Sequence, residues 1–313
     1  MSARLLFFGT SDFAVPSLTA LARDGRFEIV GIVTQPDRPV GRHAELTQPP
    51  IKQTALKLGL ETIVQPEKIK DESFQEWIKE IGPTCDAFIV VSYGKILPQW
   101  LLDLPKHGVI NVHGSLLPRW RGASPIQSAI AAGDEASGIT IMNIDALMDH
   151  GPILVQAQEE IRPDDIGDTL HDRLAELGGK TLPDALSGYL DGSITPQEQN
   201  HEHATPCKIL NREDGKIDWT KSAAEIERLI RAYNPWPGTW TEWNGKRLKI
   251  VKAIVIEHAT TQNKETSGIS ISDDRRLIAH CGNNTTLELT EVQPEGKSLM
   301  TGQEFVNGLR TKQ

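Results

Sequence analysis

The sequence predicts an α/β protein in which a mostly parallel sheet with helices on both faces is followed by a small β-barrel. Strand-like apolar runs alternate with segments of helical length through the first 133 residues, as in βαβ units. A polar stretch at 191–207 has no periodicity, and one helix and several short strands follow it. The first part therefore has a Rossmann-like plan, and the second is typical of a small barrel of the OB-like kind.

The chain length of 313 residues suits two domains. We expect a first domain at 1–190, a linker at 191–207 and a C-terminal β-barrel domain at 208–313.

Five apolar runs in the first domain are nearly unbroken in Ile, Val, Leu and Phe, which is typical of parallel strands buried on both faces. These predicted strands lie at 4–9, 27–35, 61–66, 86–94 and 108–114. The helical segments that follow them lie at 15–25, 49–59, 71–82, 98–105 and 124–133.

Two further strands, at 138–145 and 151–161, flank a short turn and are expected to be antiparallel. A helix or helix pair at 166–190, with leucines at helical spacing, closes the domain. In the second domain we predict one helix and four strands, at 222–233, 246–257, 268–274, 275–282 and 286–294.

Composition excludes several classes of protein. Hydrophobic residues make up 38% and charged residues 24%, as in soluble globular proteins. No apolar run approaches the roughly 20 residues that span a bilayer, and the N-terminus lacks the features of a signal peptide. We therefore expect a cytoplasmic protein that does not bind membranes, and we expect it to be a monomer.

The net charge of −9 argues against wholesale nucleic-acid binding. The charge is uneven, however, because residues 1–207 carry 17 Lys and Arg against 28 Asp and Glu, whereas residues 208–313 carry 16 against 14. The C-terminal part is therefore compatible with a polyanionic partner.

Two familiar nucleotide motifs are absent. The first βα turn, "FFGTSDFAV", contains one glycine and no GxGxxG, and no GxxxxGK[ST] occurs. Nicotinamide and ATP binding are therefore disfavoured. Three scattered cysteines and the isolated "HEH" at 201–203 indicate neither a disulfide framework nor a metal site.

The stretch "VINVHGSLLPRWRGASPIQ" at 109–127 carries the strongest chemical signal. Asn111 and His113 are two residues apart on a predicted strand, so their side chains project to the same face. An amide donor and an imidazole at the carboxyl end of a strand can act together on one carbonyl oxygen. The alternative is that Asn111 caps a turn and His113 is a core histidine.

A histidine that acts on a carbonyl needs an orienting carboxylate. The loop "IDALMDHG" at 144–151 offers Asp145 and Asp149. The residues alone do not decide between them, and both could simply form the turn.

The stretch "NVHGSLLPRWRGASPIQ" resembles the signature of the 10-formyltetrahydrofolate-dependent formyltransferases. Its end, "RWRGASPIQ", is most similar to the members that act on methionyl-tRNA. The resemblance covers nearly the whole chain, including "FFGTSDFAVPSL", "TQPDRPVGR", "VVSYGKILP" and "KIDWTKSAAEIERLIRAYNPWPGTWT".

The resemblance implies that 10-formyltetrahydrofolate is the formyl donor, that initiator methionyl-tRNA is the acceptor and that no metal takes part. It implies that Asn111 and His113 polarise the formyl group and that Asp149 works with His113. The residues implied in folate contact are Ser115, Leu116, Leu117, Pro118, Tyr93 and Gly94.

Six basic residues are candidates for tRNA contact, through phosphate interactions that are independent of sequence. They are Arg42, Arg119, Arg121, Lys246, Arg247 and Lys249. Ordinary surface salt bridges, or a charged outer face of a barrel, would explain the same residues.

The chain departs from the family pattern at two places. Leu147 stands where a glycine is common, which affects the expected backbone of the Asp149 loop. The loop after "VGR" reads "HAELTQPP" instead of being rich in lysine, so Arg42 lacks basic neighbours.

Three other functions remain open at this stage. An amino-sugar N-formyltransferase would share Asn111, His113 and Asp149 but would use a nucleotide-sugar acceptor. A folate-binding or tRNA-binding protein without catalysis would bind and not transfer. A dehydrogenase is disfavoured by the missing glycine motif.

Overall fold

The computed structural model describes residues 2–40, 44–256 and 268–309. The strands are β1 Ala3–Gly9, β2 Phe27–Val33, β3 Arg38–Val40, β4 Glu45–Thr47, β5 Ile63–Val64, β6 Ala87–Val91, β7 Val109–His113, β8 Arg121–Gly122, β9 Ala136–Asn143, β10 Ile153–Glu160, β11 Pro206–Cys207, β12 Thr239–Trp243, β13 Lys246–Ile256, β14 Gly268–Ile271, β15 Leu277–Cys281, β16 Thr285–Pro294 and β17 Met300–Thr301. The α-helices are α1 Val15–Arg23, α2 Pro50–Lys57, α3 Glu72–Ile81, α4 Gln99–Leu102, α5 Pro125–Ala132, α6 Gly167–Leu190, α7 Ala223–Ala232 and α8 Gly302–Gly308.

The chain divides into two compact units by its internal contacts. The first contains Met1–Gly122, Ala136–Glu160 and His171–Pro206, and the second contains Ala123–Glu135, Ile161–Leu170 and Cys207–Gln313. The segments 123–135 and 161–170 therefore cluster with the second unit, although the sequence pattern placed both in the first domain.

A seven-stranded sheet forms the centre of the first unit, in the order β10-β9-β7-β6-β1-β2-β5. The five strands from β7 to β5 are parallel, whereas β9 and β10 pair antiparallel. Leu5, Leu6, Phe7 and Phe8 of β1 are all fully buried, as expected for a parallel strand covered on both faces. This confirms the predicted mostly parallel sheet.

The sheet places the end of β7 at the edge where ligands bind in such folds. β7 lies between β6 and β9, so its residues form backbone ladders on both sides. β9 runs antiparallel to β7 and ends at Asn143, which is aligned with Ile110, and the loop that follows turns back along β7 so that Asp149 Oδ1 lies 3.6 Å from His113 Nδ1. The functional residues of β7 and of this loop therefore belong to one neighbourhood.

The second unit contains a six-stranded antiparallel sheet in the order β12-β13-β16-β15-β14, with β17 beside β16. Among the described residues this sheet is curled and open, because no pairing joins β12 to β14. α7 begins with a capping box between Ser222 and Glu225. Its Ile226 and Ile230 pack into the core of the unit with Leu248.

Three local expectations differ from the structure. The strand at 61–66 shortens to the two residues of β5, and the helix at 98–105 shortens to the four of α4. The segment 191–207 is not an unstructured linker: Gln197 bridges to Ile153, and β11 pairs with β8. A polar segment without periodicity can still be ordered when other backbone groups need its hydrogen bonds.

In the described ranges, no helix has the length and apolar character needed to cross a bilayer.

Candidate functional site

Asn111 lies at the centre of β7, where its backbone is aligned with Val90 of β6 and Met142 of β9. The residue is half-buried. Its carboxamide makes no hydrogen bond to any residue that the structure describes, although neighbouring polar groups are bonded. The amide is therefore available to a ligand at the edge of the sheet.

His113 ends the same strand and is only 6% exposed. Its Nε2 lies 3.0 Å from Trp120 O, and its Nδ1 lies 3.6 Å from Asp149 Oδ1. Because a carbonyl oxygen only accepts, Nε2 carries the hydrogen of the first contact. In a neutral ring Nδ1 would then be an acceptor facing a carboxylate, so this pair is attractive only when a proton is present between the two atoms.

The Asp149 carboxylate is held by a backbone donor, and the residue has an unusual backbone conformation. Its Oδ2 accepts a hydrogen bond of 2.8 Å from the backbone N–H of Gly122. Asp149 has a φ of 48° and Trp120 a φ of 62°, so both non-glycine residues are in the left-handed region. Such a backbone costs about 1–3 kcal/mol for each residue and persists where surrounding contacts impose it. The two strained residues are also the two partners of His113.

Asp145 has a different partner, which resolves the choice between the two carboxylates. Its Oδ2 lies 2.6 Å from His150 Nδ1, and its Oδ1 accepts from the N–H of Leu147 at 2.9 Å. Leu147 is 60% exposed and is not among the residues with positive φ. A leucine is therefore accommodated at position 147 without a left-handed backbone, and Asp149 is the carboxylate beside His113.

The "SLLP" turn after β7 is held by a small polar network. Ser115 Oγ donates to Arg119 O at 2.6 Å. Thr140 Oγ1 of β9 donates to Ser115 O at 2.6 Å and accepts from Leu117 N at 3.1 Å. Gln156 Nε2 donates to Leu117 O at 2.8 Å. The turn is therefore fixed by three side chains before any ligand binds.

The four residues of this turn differ in what they can offer a ligand. Ser115 and Leu117 are buried, whereas Leu116 and Pro118 are half-buried. The peptide bond between Leu117 and Pro118 is cis. Surface from Leu116 and Pro118 is accordingly the part of the turn open to contact.

Tyr93 and Gly94 also behave differently from each other. The Tyr93 ring is 1% exposed and packs edge-on against Phe8 with ring centroids 5.4 Å apart. Burial raises the pKa of its phenol. Its carbonyl accepts from Thr10 Oγ1 at 2.9 Å and from Gln35 Nε2 at 3.2 Å. The ring is part of the core, so only the exposed Gly94, with φ of 82°, presents a surface.

The two arginines after the turn have local partners. The Arg119 guanidinium lies 4.4 Å from the centre of the Trp120 ring. Arg121 donates to Gln199 Oε1 from Nη2 at 2.6 Å and from Nε at 3.1 Å, and its Nη2 lies 2.8 Å from His201 Nδ1. Arg42, which the sequence prediction also included, lies outside the described residues.

The "HEH" segment at 201–203 lies beside Arg121, which contacts His201. The His201 and His150 rings stack with centroids 4.1 Å apart and an angle of 5° between their planes. No group of three His, Cys, Asp or Glu side chains in the described part of the chain is arranged to hold a metal ion.

The three basic residues predicted in the second unit lie on β13. Burial alternates along the start of this strand, so Arg247 and Lys249 share the face opposite Leu248. Lys246 and Lys249 are exposed. The Arg247 guanidinium lies 3.7 Å from the centre of the Trp240 ring and pairs with Glu213 at 3.2 Å. The charges of Lys246 and Lys249 are therefore less engaged with other protein groups than the charge of Arg247.

Sequence reasoning missed Thr140, Gln156 and Gln199. Each hydrogen-bonds to the backbone of the site from a distant part of the chain. Thr140 and Gln156 have ordinary strand positions, and Gln199 lies in the stretch interpreted as a linker. No motif spacing marks such residues, because their partners are carbonyls brought near them only by folding.

Comparison with known proteins agrees with this architecture. A family model described as formyl transferase matches residues 3–186, and one described as formyl transferase, C-terminal domain, matches residues 209–310. A protein named methionyl-tRNA formyltransferase from Acidobacterium capsulatum is 44% identical over 97% of this chain and 96% of its own length. Proteins of the same name from Koribacter versatilis and Neisseria meningitidis serogroup C are 46% and 44% identical over 98% and 97% of this chain, and over 96% and 97% of their own lengths.

Solved structures show the same fold at lower identity. The sugar 3N-formyl transferase WlaRD, solved with dTDP and 5-N-formyl-THF, gives a TM-score of 0.69 at 18% identity over 95% of this chain and 100% of that one. An N-formyltransferase from Helicobacter canadensis gives 0.68 at 17% identity over 94% and 100%. On the two family models and the full-length relatives, this chain belongs to the formyl transferase family.

Proposed function

We propose that this protein transfers the formyl group of 10-formyltetrahydrofolate to the free amino group of initiator methionyl-tRNA. The observation that carries the proposal is the convergence at the end of β7 of an unbonded Asn111 amide with the His113–Asp149 pair. The relatives that bear the name of this activity match the chain over nearly its full length.

The reaction is an acyl transfer to nitrogen. The uncharged amine of the acceptor forms a bond to the formyl carbon, and the bond between that carbon and the folate nitrogen breaks. One proton leaves the amine and one must reach the departing nitrogen, so the net reaction consumes no outside acid or oxidant.

In this proposal Asn111 is the direct donor to the formyl oxygen. Negative charge develops on that oxygen as the amine attacks, and a fixed N–H donor stabilises it more than it stabilises the starting carbonyl. A half-buried amide without another partner pays no cost for breaking an existing protein hydrogen bond.

His113 and Asp149 form the proton-sharing pair of the proposed site. As the amine attacks, the proton that it loses can move to the position between Nδ1 and Oδ1, where it makes the His113–Asp149 contact attractive and offsets the negative charge that develops on the formyl oxygen. The sequence analysis expected His113 to bond the formyl oxygen itself, but here Nε2 donates to Trp120 O. The pair can instead accept the proton of the amine and return it to the departing nitrogen.

The residues present fit a folate donor. The prearranged "SLLP" turn exposes part of Leu116 and Pro118, and Gly94 is exposed at the end of the neighbouring β6 segment. When bound, the folate would supply the formyl carbon. The chain would supply an apolar edge, the Asn111 donor and the His113–Asp149 pair.

Initiator tRNA is favoured over an amino-sugar nucleotide as the acceptor. The proteins with 41–46% identity bear the tRNA-related name, whereas the solved structures whose titles name a sugar substrate are only 17–19% identical. Lys246 and Lys249 add exposed positive charge in the second unit, which suits a phosphate backbone. We place the enzyme in the cytoplasm, as a monomer, with residues 1–190 as its catalytic part and 208–313 as its tRNA-binding part.

The test supplies 10-formyltetrahydrofolate with either charged initiator tRNA or an amino-sugar nucleotide and identifies the product by mass spectrometry. We expect formyl-methionyl-tRNA and no formylated sugar. Formylation of the sugar alone would overturn the acceptor assignment. Folate binding without transfer to either acceptor would indicate a binding protein.

A further inference from the structure

Gln199 is a buried polar residue in the segment that sequence analysis interpreted as a linker. It is 5% exposed, whereas both of its chain neighbours are exposed. A buried amide is tolerated only when its hydrogen-bonding atoms have partners. Those partners are Asp149 of the proposed catalytic site, Gly151 of the same loop and Arg121.

The Gln199 carboxamide makes all four hydrogen bonds that such a group can make. Nε2 donates to Asp149 O at 3.0 Å and to Gly151 O at 2.8 Å. Oε1 accepts from Arg121 Nε at 3.1 Å and Nη2 at 2.6 Å. The carbonyls can only accept and the guanidinium can only donate, so the amide has one permitted orientation.

These bonds close a ring of contacts around Asp149. The backbone N–H of Gly122 donates to the Asp149 carboxylate. Arg121 immediately precedes Gly122 in the chain. Gln199 ties the side chain of Arg121 back to the backbone of Asp149. The residue so enclosed has a left-handed backbone, a conformation that is uncommon outside glycine although aspartate tolerates it better than most residues, and the bonds from Gln199 and Gly122 hold it there.

We propose that Gln199 is a positioning residue for formyl transfer, which rests on the function proposed above: it holds the Asp149 carboxylate in place against His113. Gln199 contacts the Asp149 backbone and Arg121 and does not itself touch the reacting atoms. It acts by fixing the left-handed backbone from which the carboxylate projects.

The test compares Gln199→Met and Gln199→Glu with the wild type. Methionine keeps the volume and removes all four bonds, whereas glutamate keeps acceptors for Arg121 and loses both donors to the carbonyls. The matched control is Gln197→Glu, because Gln197 is exposed and, within the part of the chain that the structure describes, its side chain donates only to Thr195 O.

Both Gln199 variants should lower kcat about 10- to 100-fold, as expected for a displaced catalytic group, and should leave KM for both substrates within about threefold. The control should match the wild type. In an Asp149→Asn background, Gln199→Met should lower kcat by less than about a further threefold. The effects of residues that act through one another are not additive, and the carboxylate that Gln199 positions is already missing there. An unchanged kcat, or the same loss in both backgrounds, overturns the proposal.

A second measurement does not depend on the enzymatic activity. The Gly122 N–H donates to the Asp149 carboxylate, so its hydrogen exchange reports whether that carboxylate is in place. We expect exchange at Gly122 to become at least about tenfold faster in Gln199→Met and to stay unchanged in the control. Unchanged hydrogen exchange at Gly122 in Gln199→Met overturns the positioning role, whether or not the wild type transfers formyl groups. Faster exchange at Gly122 together with an inactive wild type would contradict only the proposed function.

Discussion

Asn111 and His113 come from one strand and differ in how their polar atoms are used. The Asn111 amide makes no bond to the described residues, whereas both His113 ring nitrogens face protein partners, Trp120 and Asp149. A single strand can therefore carry a ligand-facing amide and an imidazole held by protein partners side by side. The alternation of side chains along β7 makes this possible.

The first prediction concerns the donor. Asn111→Ala removes the one amide aimed at the proposed formyl oxygen, so kcat should fall about 10²- to 10³-fold. Folate affinity should change by less than about threefold, because the turn at 115–118 is held by its own network. Steady-state kinetics and folate titration measure the two effects, and thermal unfolding checks the fold. Near-normal turnover of this variant would refute the proposed role.

At the level of elements, the close packing of β9 supports the turn after β7. A Cβ atom added at Gly138 would lie 2.3 Å from Ala157 O on β10 and 2.6 Å from Leu116 Cδ2. The glycine thus allows β10 and the turn to approach β9 from two sides. The position requires a small residue because of its neighbours.

Gly138→Ala should therefore be destabilising. We expect the free energy of unfolding to fall by about 1–3 kcal/mol, as is typical of overpacking. Gly25→Ala is the control, since nothing lies within 4 Å of its added Cβ; its effect should stay within about 0.5 kcal/mol. Urea denaturation compares the two variants, and equal stability would contradict the packing argument.

A second link between elements is electrostatic. Lys52 of α2 lies 2.8 Å from Asp37 Oδ2, and Gln65 Nε2 donates to Asp37 Oδ1 at 2.8 Å. The Lys52 ammonium and then the Gln65 amide lower the pKa of Asp37 from its usual 3.8. Hydrogen bonding to the charged form explains this direction.

The sign of the resulting pH dependence follows from the lowered pKa. The stabilisation by Asp37 should be complete above its unfolded pKa, near 3.8, and should be lost as the pH falls through the lower folded value. Asp37→Asn should therefore be less stable than the wild type at pH 6, and the difference should vanish in strong acid. Chemical denaturation of both proteins across this range measures it; a gap that is independent of pH would exclude the ionic explanation.

On the scale of the whole molecule, charge is unevenly distributed along the chain. The part up to residue 207 has a formal charge of −11 from 17 basic and 28 acidic residues, and the remainder has +2 from 16 and 14. The acidic part contains the proposed chemistry, whereas the lysines of β13 belong to the other part. A phosphate backbone would be attracted locally and not by the net charge.

tRNA binding should accordingly weaken steeply with salt. In Lys249→Ala the slope of log Kd against log salt concentration should decrease by about one for the lost phosphate contact. Lys57→Ala, an exposed lysine of α2 in the acidic part, should leave the slope unchanged. Filter binding between low and moderate salt measures both. An unaltered slope for Lys249→Ala would remove this residue from the tRNA surface.

The sequence by itself determined the sheet and the pairing of Asn111 with His113. Parallel strands that are buried on both faces appear in the sequence as nearly continuous apolar runs. The two-residue period of a strand determines which side chains share a face. The charge division and the absence of nucleotide motifs were equally visible, because they depend only on residue types and spacing.

Only the tertiary structure placed Asp149 rather than Asp145 beside His113, buried the Tyr93 ring in the core and revealed the contacts of Gln199. Each of these depends on contacts between residues far apart in the chain, for instance 50 positions between Gln199 and Asp149. Hydrogen bonds to backbone carbonyls carry no residue signature, since every residue has a carbonyl. Local pattern therefore predicts elements and faces, whereas folding selects which polar groups meet.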